Sequence, residues 1–583
     1  MDYSYIPLTE PEKEQAGLLA QELRISPVIA EILYRRGVSN LEALREYLYP
    51  QLANLPDPFT MLGMKDAVTR VVEACLAGHP LYIHGDYDVD GITSTALLQA
   101  FFTEAGIKSS YYIPKRTEEQ YGLSENSLNK LLHRATTSAR PVLITVDCGI
   151  SSFAEVLFAK EQFGCDVIIT DHHLPAPKLP EALAIINPKQ PGCAFSFPNL
   201  AGVGVAFFFI LALRRALVEA GVFRKETMPN LKSYLDLVAL GTIADVVPLV
   251  DVNRTLVRAG LEVLATRKRV GVCALVENGN VMTAAVTAED VSFRLAPRIN
   301  ACGRLGQPEL GVQLLLARDH KKAKDLAAEL ENLNTQRKAL ENIILPEIAA
   351  ACASQAEQGR AALAVYNADC HPGILGILAS RMAEQFSRPV ILFTDDRLDS
   401  DGQILKGSGR SVAEVNLHEA LAQCQEALEQ FGGHPMAAGL TIHLNQLETF
   451  AKLFHESVRQ QMAKPRPQHD YILVDYQLKA EHLLHHNFFQ AVQLMEPCGE
   501  GNPEPVFLMQ TEPLRQVRTV GNDEHVVFQI RINGRMLPGV GFNLAQQYSG
   551  FPGNETSMVF KLRQRYVNGR EHTQMQVIEF LPD

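Results

Sequence analysis

Residues 84–91 read His84-Gly85-Asp86-Tyr87-Asp88-Val89-Asp90-Gly91, and the apolar triplet Leu81-Tyr82-Ile83 runs directly into them. A short apolar run that ends abruptly in acids reads as a buried strand emptying at a sheet edge. Two further segments have the same form: Val142 to Val146 runs into Asp147, and Val167 to Thr170 runs into Asp171. Helical patterns such as Thr93 to Phe102 alternate with these strands, which predicts an open α/β parallel sheet. Ligands bind such sheets beyond the carboxyl ends of the strands, so all three acidic endings point to one edge.

Within the first segment His84, Asp86, Asp88 and Asp90 share parity, and an extended backbone would place them on one face. Crowded carboxylates repel one another, and one or two divalent cations relieve the repulsion. Oxygen donors with an imidazole suit Mn²⁺ or Mg²⁺. Gly91 is expected to let the chain turn into a helix beginning around Thr93, Ser94 and Thr95. A surface Asp-rich turn is the plain alternative. An EF-hand calcium loop fits less well, because its closing Glu is missing and a strand precedes. Asp147, ahead of Cys148-Gly149, would by itself more often be a cap or turn residue. Asp171-His172-His173 says more, since adjacent histidines behind an acid are costly to leave unpaired; one can ligate a metal while the other faces substrate. Asp245, in GTIADVVPL, follows an apolar helical stretch and is weak alone.

At 583 residues the chain is too long for one core, and three or four domains are expected. The N-terminus MDYSYIPLTEPEKEQ has neither a basic nor an apolar leader region, which argues against secretion. The most apolar run, Leu200 to Leu213, is too short to span a bilayer and reads as a buried helix. Ten scattered cysteines without a CxxC pair suggest neither a zinc cluster nor a disulfide framework, and a reducing cytoplasm is expected. Net charge of −12 is a weak guide to partners, because local fields decide binding. Between Arg515 and Arg570 the chain carries Arg515, Arg518, Arg531, Arg535, Lys561, Arg563, Arg565 and Arg570 against only Asp523, Glu524 and Glu555. That cluster is either a nucleic-acid surface or a solvated face.

Asp319 to Ile344, charged and free of Gly and Pro, predicts a long helix bridging two domains. A second α/β pattern follows, with ALAVY and PVILF as strands and Ile374 to Phe386 as a helix. Met462 to Gln468 has linker composition. VVFQIRI, SMVFKLR and MQVIEF beyond it predict a small all-β barrel or sandwich. Lys406 to Ser411 (KGSGRS) is expected to form a phosphate-binding loop through Ser408, Gly409, Arg410 and Ser411, with Gly432, Gly433 and His434 as a partner loop. Simple β-turns are the alternative for both. Arg298, Asn300 and Arg304 are candidates to grip a 5′ phosphate or strand backbone, with interdomain ion pairing as the alternative. No Walker A motif is present, so no ATP dependence is expected.

The ordered segments HGDYDVDGITSTALL, VDCGISS, TDHH, LAGVGVAF, GTIADVVPL and RLAPRINACGRLG resemble the DHH phosphoesterase superfamily, and within it the RecJ family. KGSGRS and FGGHPMAAGLTI are similar to the associated DHHA1 domain, and the Arg-rich β segment to the family's OB fold. The resemblance covers nearly the whole chain. It implies a parallel-sheet DHH domain joined by a long helix to a second α/β DHHA1 domain, followed by a C-terminal β-barrel (OB-like) domain. The corresponding limits are 1–50 for an N-terminal helical segment, 51–250 for the DHH domain and 251–345 for a helical connector. They continue with 346–461 for DHHA1 and 462–583 for the OB-like domain.

The activity implied is two-metal, 5′→3′ hydrolysis of single-stranded DNA in repair and recombination. By the superfamily's H-x3-D-x-D pattern, His84, Asp88 and Asp90 match the first-motif positions, and Asp147, His172 and Asp245 the later ligand positions. Asp86 is extra to that pattern. His173 is a ligand or a substrate contact, and a candidate general acid. Phe528, Phe542 and Tyr566 are candidate stacking platforms or core residues. Single-strand-binding protein and a helicase are the partners implied, and a monomer without membrane attachment is expected. The rival readings are a DHH enzyme acting on short oligonucleotides or cyclic dinucleotides, and a non-catalytic DNA-binding scaffold.

Overall fold

The computed structural model describes residues 2–116, 119, 122–133, 140–283, 285–396, 399, 401–413, 415–463, 471–484, 488–532, 534–548, 556–567 and 570–581. Most of the linker expected at 462–468 lies outside these residues, as do Glu555 and the side chains of Arg565, Tyr566 and Arg570.

The three acid-ended segments form parallel neighbours in one five-stranded sheet. Its order is Ser109–Tyr112, Leu81–His84, Val142–Val146, Asp166–Thr170, Ala184–Ile186. Every residue of the three central strands is buried, which explains their continuous apolar character. The chain reverses its direction of winding at Leu81–His84, which has Ser109–Tyr112 on one side and Val142–Val146 on the other. That reversal opens a crevice at the carboxyl ends, where His84 and Val146 hand over to the acidic residues.

Residues 84–91 are not extended. The strand stops at His84, Asp88 caps the helix Val89–Glu104 by accepting from the Gly91 amide at 3.1 Å, and Asp90 sits in the first helical turn. Gly91 therefore does not turn the chain into the helix, which has already begun. A Cβ there would lie 2.5 Å from the Asp86 carbonyl oxygen, so the glycine is required by close packing inside the motif. The helix is buried almost all round, against the sheet and the apolar helices Gly202–Glu219 and Leu235–Ala244.

The bridging helix runs His320–Glu357, beyond the predicted end at Ile344 and through Pro346. At 38 residues it is about 57 Å long. It leads into a mixed sheet ordered Gln430–His434, Ala437–His443, Ile404–Arg410, Val390–Asp395, Leu363–Tyr366, in which only the last pair is parallel. KGSGRS and the Gly432-Gly433-His434 segment are thus strands rather than the loops expected. Their alternation is hidden because two of the inward positions of Ile404–Arg410, Gly407 and Gly409, carry no side chain. The outward face carries Lys406, Ser408 and Arg410 together.

The C-terminal β domain places Tyr476–Gln477, Phe507–Thr511, Thr556–Val567, Arg570–Leu581, Arg535–Gly541, His525–Ile532 and Arg515–Val520 side by side in that order. The N-terminal helices Glu10–Leu23, Pro27–Arg35 and Leu41–Leu48 share its core, where Leu19, Ile29, Leu33 and Leu44 belong to one cluster with Phe507, Phe528 and Phe580. Strand Asp2–Ser4 pairs in parallel with Tyr471–Leu473, and Arg36 grips Asp475 through two bonds of 2.9 and 2.8 Å. The segment 1–50 is therefore packed as part of the C-terminal unit. All ten cysteines are free thiols, and no helix among the described residues is long and apolar enough to cross a membrane.

Arg254, on the helix Asp251–Ala265, fastens this unit to the first domain, where that helix packs on Leu235–Ala244. Its guanidinium donates to the carbonyls of Tyr47, Leu494, Met495, Glu496 and Pro497 at 2.9–3.2 Å and stacks on the Tyr47 ring at 3.9 Å. A buried cation satisfied only by carbonyl dipoles cannot be removed without orphaning them. Arg254→Ala is expected to lower stability by about 3 kcal/mol, seen as a reduced urea midpoint, because several buried charge-assisted bonds are lost together. A loss below about 1 kcal/mol would contradict this role.

Candidate metal centre and nucleic-acid site

Five side chains from four different elements meet at the sheet's carboxyl edge. Asp86 and Asp90 come from the first motif, Asp147 follows Val142–Val146, His172 follows Asp166–Thr170, and Asp245 caps the helix Leu235–Ala244. His172 Nε2 lies 3.2 Å from Asp147 Oδ1, 3.7 Å from Asp245 Oδ2 and 3.9 Å from Asp90 Oδ2. Asp147 has φ of 60° and Val246, directly after Asp245, also has φ of 60°. Left-handed backbone at an Asp and at a β-branched residue is strained, and both strained points adjoin the cluster.

Donor atoms group three times within 4.8 Å: Asp90 with His172 and Asp245, Asp86 with Asp88 and Asp147, and Asp147 with His172 and His173. Burial and like charge push Asp86, Asp147 and Asp245 well above the usual carboxylate range, and Asp90 up to about 7. Burial, reinforced by His173, pulls His172 down to about 3 and leaves its imidazole neutral. Asp86 Oδ1, Asp245 Oδ2 and both ring nitrogens of His172 are buried without a hydrogen-bond partner among the described residues. A neutral imidazole has a single N–H to offer, which cannot meet three carboxylate oxygens lying 3.2–3.9 Å from one nitrogen. Hard divalent cations satisfy this donor set, and it fits Mn²⁺ or Mg²⁺.

Two carboxylates are held by backbone amides. Asp90 accepts from the first amides of the helix Gly202–Glu219, Gly202 N at 2.6 Å and Val203 N at 2.8 Å. The sequence LAGVGVAF thereby supplies the clamp that fixes Asp90, a role invisible from the residues alone. Asp171 accepts from the Ile150 amide at 3.0 Å, the His172 amide at 2.7 Å and His173 Nδ1 at 2.7 Å. Its own pKa is driven below the ordinary range: burial opposes this, and the His173 charge and hydrogen bonds prevail. Although burial alone would lower it, Asp171 raises His173 to about 9.

His84 stands apart from the three groups. Its Nε2 is 3.0 Å from Ser127 Oγ and its Nδ1 3.8 Å from Cys148 Sγ, beneath the cluster. Asp86, which the motif pattern leaves out, is inside it.

A cavity of about 280 Å³ opens on the cluster, lined by Asp86, Asp88, Asp90 and Asp245 together with Arg116, Asn300, Arg304 and Arg410. Catalytic sheet, connector and second α/β domain each contribute to it. Burial and then the charges of Arg116, Arg337 and Arg410 pull Arg304 down to about 9. Arg116, missed in the sequence because it lies in an irregular segment, sits 5.3 Å over the Tyr87 ring. His434 reaches the same edge, its ring stacked on His173 at 6.1 Å and 16°.

Other candidates lie elsewhere. Arg298 pairs with Glu331 at 2.6 Å and bonds Asn278 at 3.1 Å, both partners within the 251–345 connector rather than in another domain. Ser411 is buried and donates to the Val415 carbonyl, Gly409 packs inside its sheet, and Gly432 and Gly433 are exposed in the strand leading to His434. In the C-terminal domain Phe528 is core, against Phe580, while Phe542 is half-exposed beside His525. Arg515, Arg518, Arg531 and Arg535 are exposed, whereas Arg563 pairs with Glu289 and Glu504.

Comparison with known proteins agrees with this architecture. Residues 80–242 match the DHH family, N-terminal domain, residues 359–460 the DHHA1 domain, and residues 474–579 the RecJ OB domain. The single-stranded-DNA-specific exonuclease RecJ of Bacillus subtilis (strain 168) is 35% identical over 98% of this chain and 70% of its own length. The protein of the same name from Escherichia coli (strain K12) is 36% identical over 99% of both chains. The crystal structure of RecJ in complex with Mn²⁺ from Thermus thermophilus superposes with a TM-score of 0.81 at 31% identity, covering 100% of this chain and 80% of that one. Its Mg²⁺ counterpart gives 0.76 at 29% identity, covering 100% and 79%. On identity maintained across nearly its full length, and on a shared three-domain architecture, the chain belongs to the RecJ family.

Proposed function

We infer that this protein is a divalent-metal-dependent exonuclease that degrades single-stranded DNA from the 5′ end, in repair and recombination. The observation that carries the reading is the cavity in which a carboxylate–histidine cluster and an arginine cluster face each other. Phosphodiester hydrolysis needs the first, and a strand end with its terminal phosphate needs the second. A volume of about 280 Å³ admits the end of one strand, which favours a single-stranded over a duplex substrate.

In this reading Asp90, His172 and Asp245 would hold one ion and Asp86, Asp88 and Asp147 the other. Bound Mn²⁺ or Mg²⁺ supplies Lewis-acid activation of water and stabilises charge on the phosphoryl oxygens. His84 supports the floor of the site through Ser127 and Cys148. Asp171 fixes the tautomer and orientation of His173, whose Nε2 delivers the proton to the departing oxygen as general acid. Arg116, Asn300, Arg304 and Arg410 seat the 5′ phosphate, and the face bearing Lys406 and Ser408 carries the same charge outward. The C-terminal domain tracks the incoming strand with Arg515, Arg518, Arg531 and Arg535, and Phe542 offers a stacking surface. The functional units are 51–250, 251–345 and 346–461, with 1–50 and 462–583 acting as one. A cytoplasmic monomer working beside single-strand-binding protein and a helicase fits this activity.

The reading is tested with single strands labelled at either end, with and without a 5′ phosphate, alongside blunt duplex. Mononucleotides should leave the 5′ end first, and Arg410→Ala should erase at least a tenfold preference for the phosphorylated end, the equivalent of about one charge-assisted contact. Digestion of blunt duplex as fast as single strand would overturn the substrate assignment.

The clamp on Asp90 makes a separate test. A Cβ at residue 202 would lie 2.6 Å from Asp147 Oδ1, so Gly202→Ala should displace that carboxylate. Mn²⁺ affinity is expected to fall at least tenfold by calorimetric titration while circular dichroism is unchanged. Unaltered affinity would contradict the packing described.

A further inference from the structure

Beside the arginine cluster, a glycine occupies a helical position where its backbone does not require one. Gly376 lies in the first turn of the helix Leu375–Phe386, is buried, and has no left-handed backbone. Glycine there weakens the helix relative to alanine. The reason for it is spatial. A Cβ on residue 376 would lie 2.9 Å from Arg410 Nη2, 3.4 Å from Arg410 Cζ and 3.2 Å from Ser408 Oγ. Its three nearest neighbours would thus all belong to the outward face of the strand Ile404–Arg410.

The guanidinium of Arg410 is located by its own strand. Its Nη1 donates to the Gly409 carbonyl at 2.8 Å and reaches Ser408 Oγ at 3.5 Å, and the residue lines the cavity over the carboxylate cluster. Arg304, which lines the same cavity, meets the same short segment from the connector. Its Nη1 donates to the Gly373 carbonyl at 3.0 Å. That turn is closed by the Ile374 amide donating to the His371 carbonyl and the Gly373 amide donating to His371 Nδ1, both at 3.0 Å. Residues 371–376 are therefore a common bed for two arginines, one from the connector and one from the second sheet. The start of the helix exerts no pull on a guanidinium, since that end of its dipole is positive, and Ile374 at its N-cap offers no side-chain acceptor. Room, rather than attraction, is what residue 376 supplies.

We propose that Gly376 is a positioning residue for recognition of the strand terminus: its missing side chain is the slot that lets the Arg410 guanidinium share the cavity with Arg304. The proposal rests on the exonuclease reading above, in which Arg410 seats the 5′ phosphate. A methyl group at residue 376 would displace the free end of a flexible side chain and would not require the backbone to move.

Gly376→Ala is compared with wild type and with Arg410→Ala, as intact proteins in Mn²⁺, on single strands bearing a 5′ phosphate or a 5′ hydroxyl. In Gly376→Ala the KM for the phosphorylated strand should rise about fivefold, as expected when a charge-assisted contact is misplaced by a fraction of an ångström. The kcat on that strand, and both constants for the hydroxyl end, should keep their wild-type values. The urea midpoint should be no lower than that of wild type, because alanine favours the helix. Gly376→Ala combined with Arg410→Ala should match Arg410→Ala alone, the non-additivity of a residue that acts through another. An unchanged KM for the phosphorylated strand would overturn the proposal. So would equal losses on both strand ends, multiplicative losses in the double variant or a lowered urea midpoint, each of which would make Gly376 a packing residue only. A wild-type protein indifferent to the 5′ phosphate would sink the terminal-phosphate reading and the proposal with it, whereas the other outcomes leave that reading standing.

Discussion

Repulsion among buried carboxylates at one sheet edge is the constraint around which this protein is built. Asp90, Asp147 and Asp245 are brought within a few ångströms of one neutral imidazole, with Asp86 grouped against Asp147, and burial makes every ionised state expensive. The fold resists that repulsion by fixing the carboxylates from behind. The helix beginning at Gly202 gives two amides to Asp90, and strained backbone holds Asp147 and the turn after Asp245. Protonation or bound cations can relieve that repulsion, and the apolar packing of the helices around the site sustains its cost.

The remaining domains make sense as consequences. A site able to cleave any accessible phosphodiester needs selection, and selection comes from chain segments far away in sequence. Arg304 arrives at the end of the connector, Arg410 and His434 from the second sheet, and all reach the edge of the first. A 38-residue helix sets the spacing between the two sheets. The N-terminal and C-terminal segments share one core and are latched to the first domain through Arg254, so the C-terminal β domain is fixed relative to the site.

Much of this was legible in the chain. Apolar runs ending in Asp147 and Asp171 predicted the sheet and its functional edge, because buried parallel strands have no polar face to confuse the pattern. Asp90, Asp147, His172 and Asp245 were named and do meet. What failed was conformation inside the motifs. Parity placed His84 with the acids on the assumption of an extended segment, but a strand–turn–helix corner turns His84 inward to Ser127, while Asp86, which parity included and the family pattern left extra, lies in the cluster. KGSGRS resembled a loop because glycine occupies its inward strand positions. Arg116 and the amide clamp of Gly202 could not be found from sequence pattern, since the first lies in an irregular segment and the second acts through a backbone atom.

The central claim, that the carboxylate cluster is completed by a pair of divalent ions, is tested most directly by Mn²⁺ titration followed by electron paramagnetic resonance. Two ions should bind per chain, with a spin-coupled signal from adjacent ions that Asp147→Asn converts into that of isolated Mn²⁺. A single uncoupled ion at saturation in the wild-type protein would contradict it.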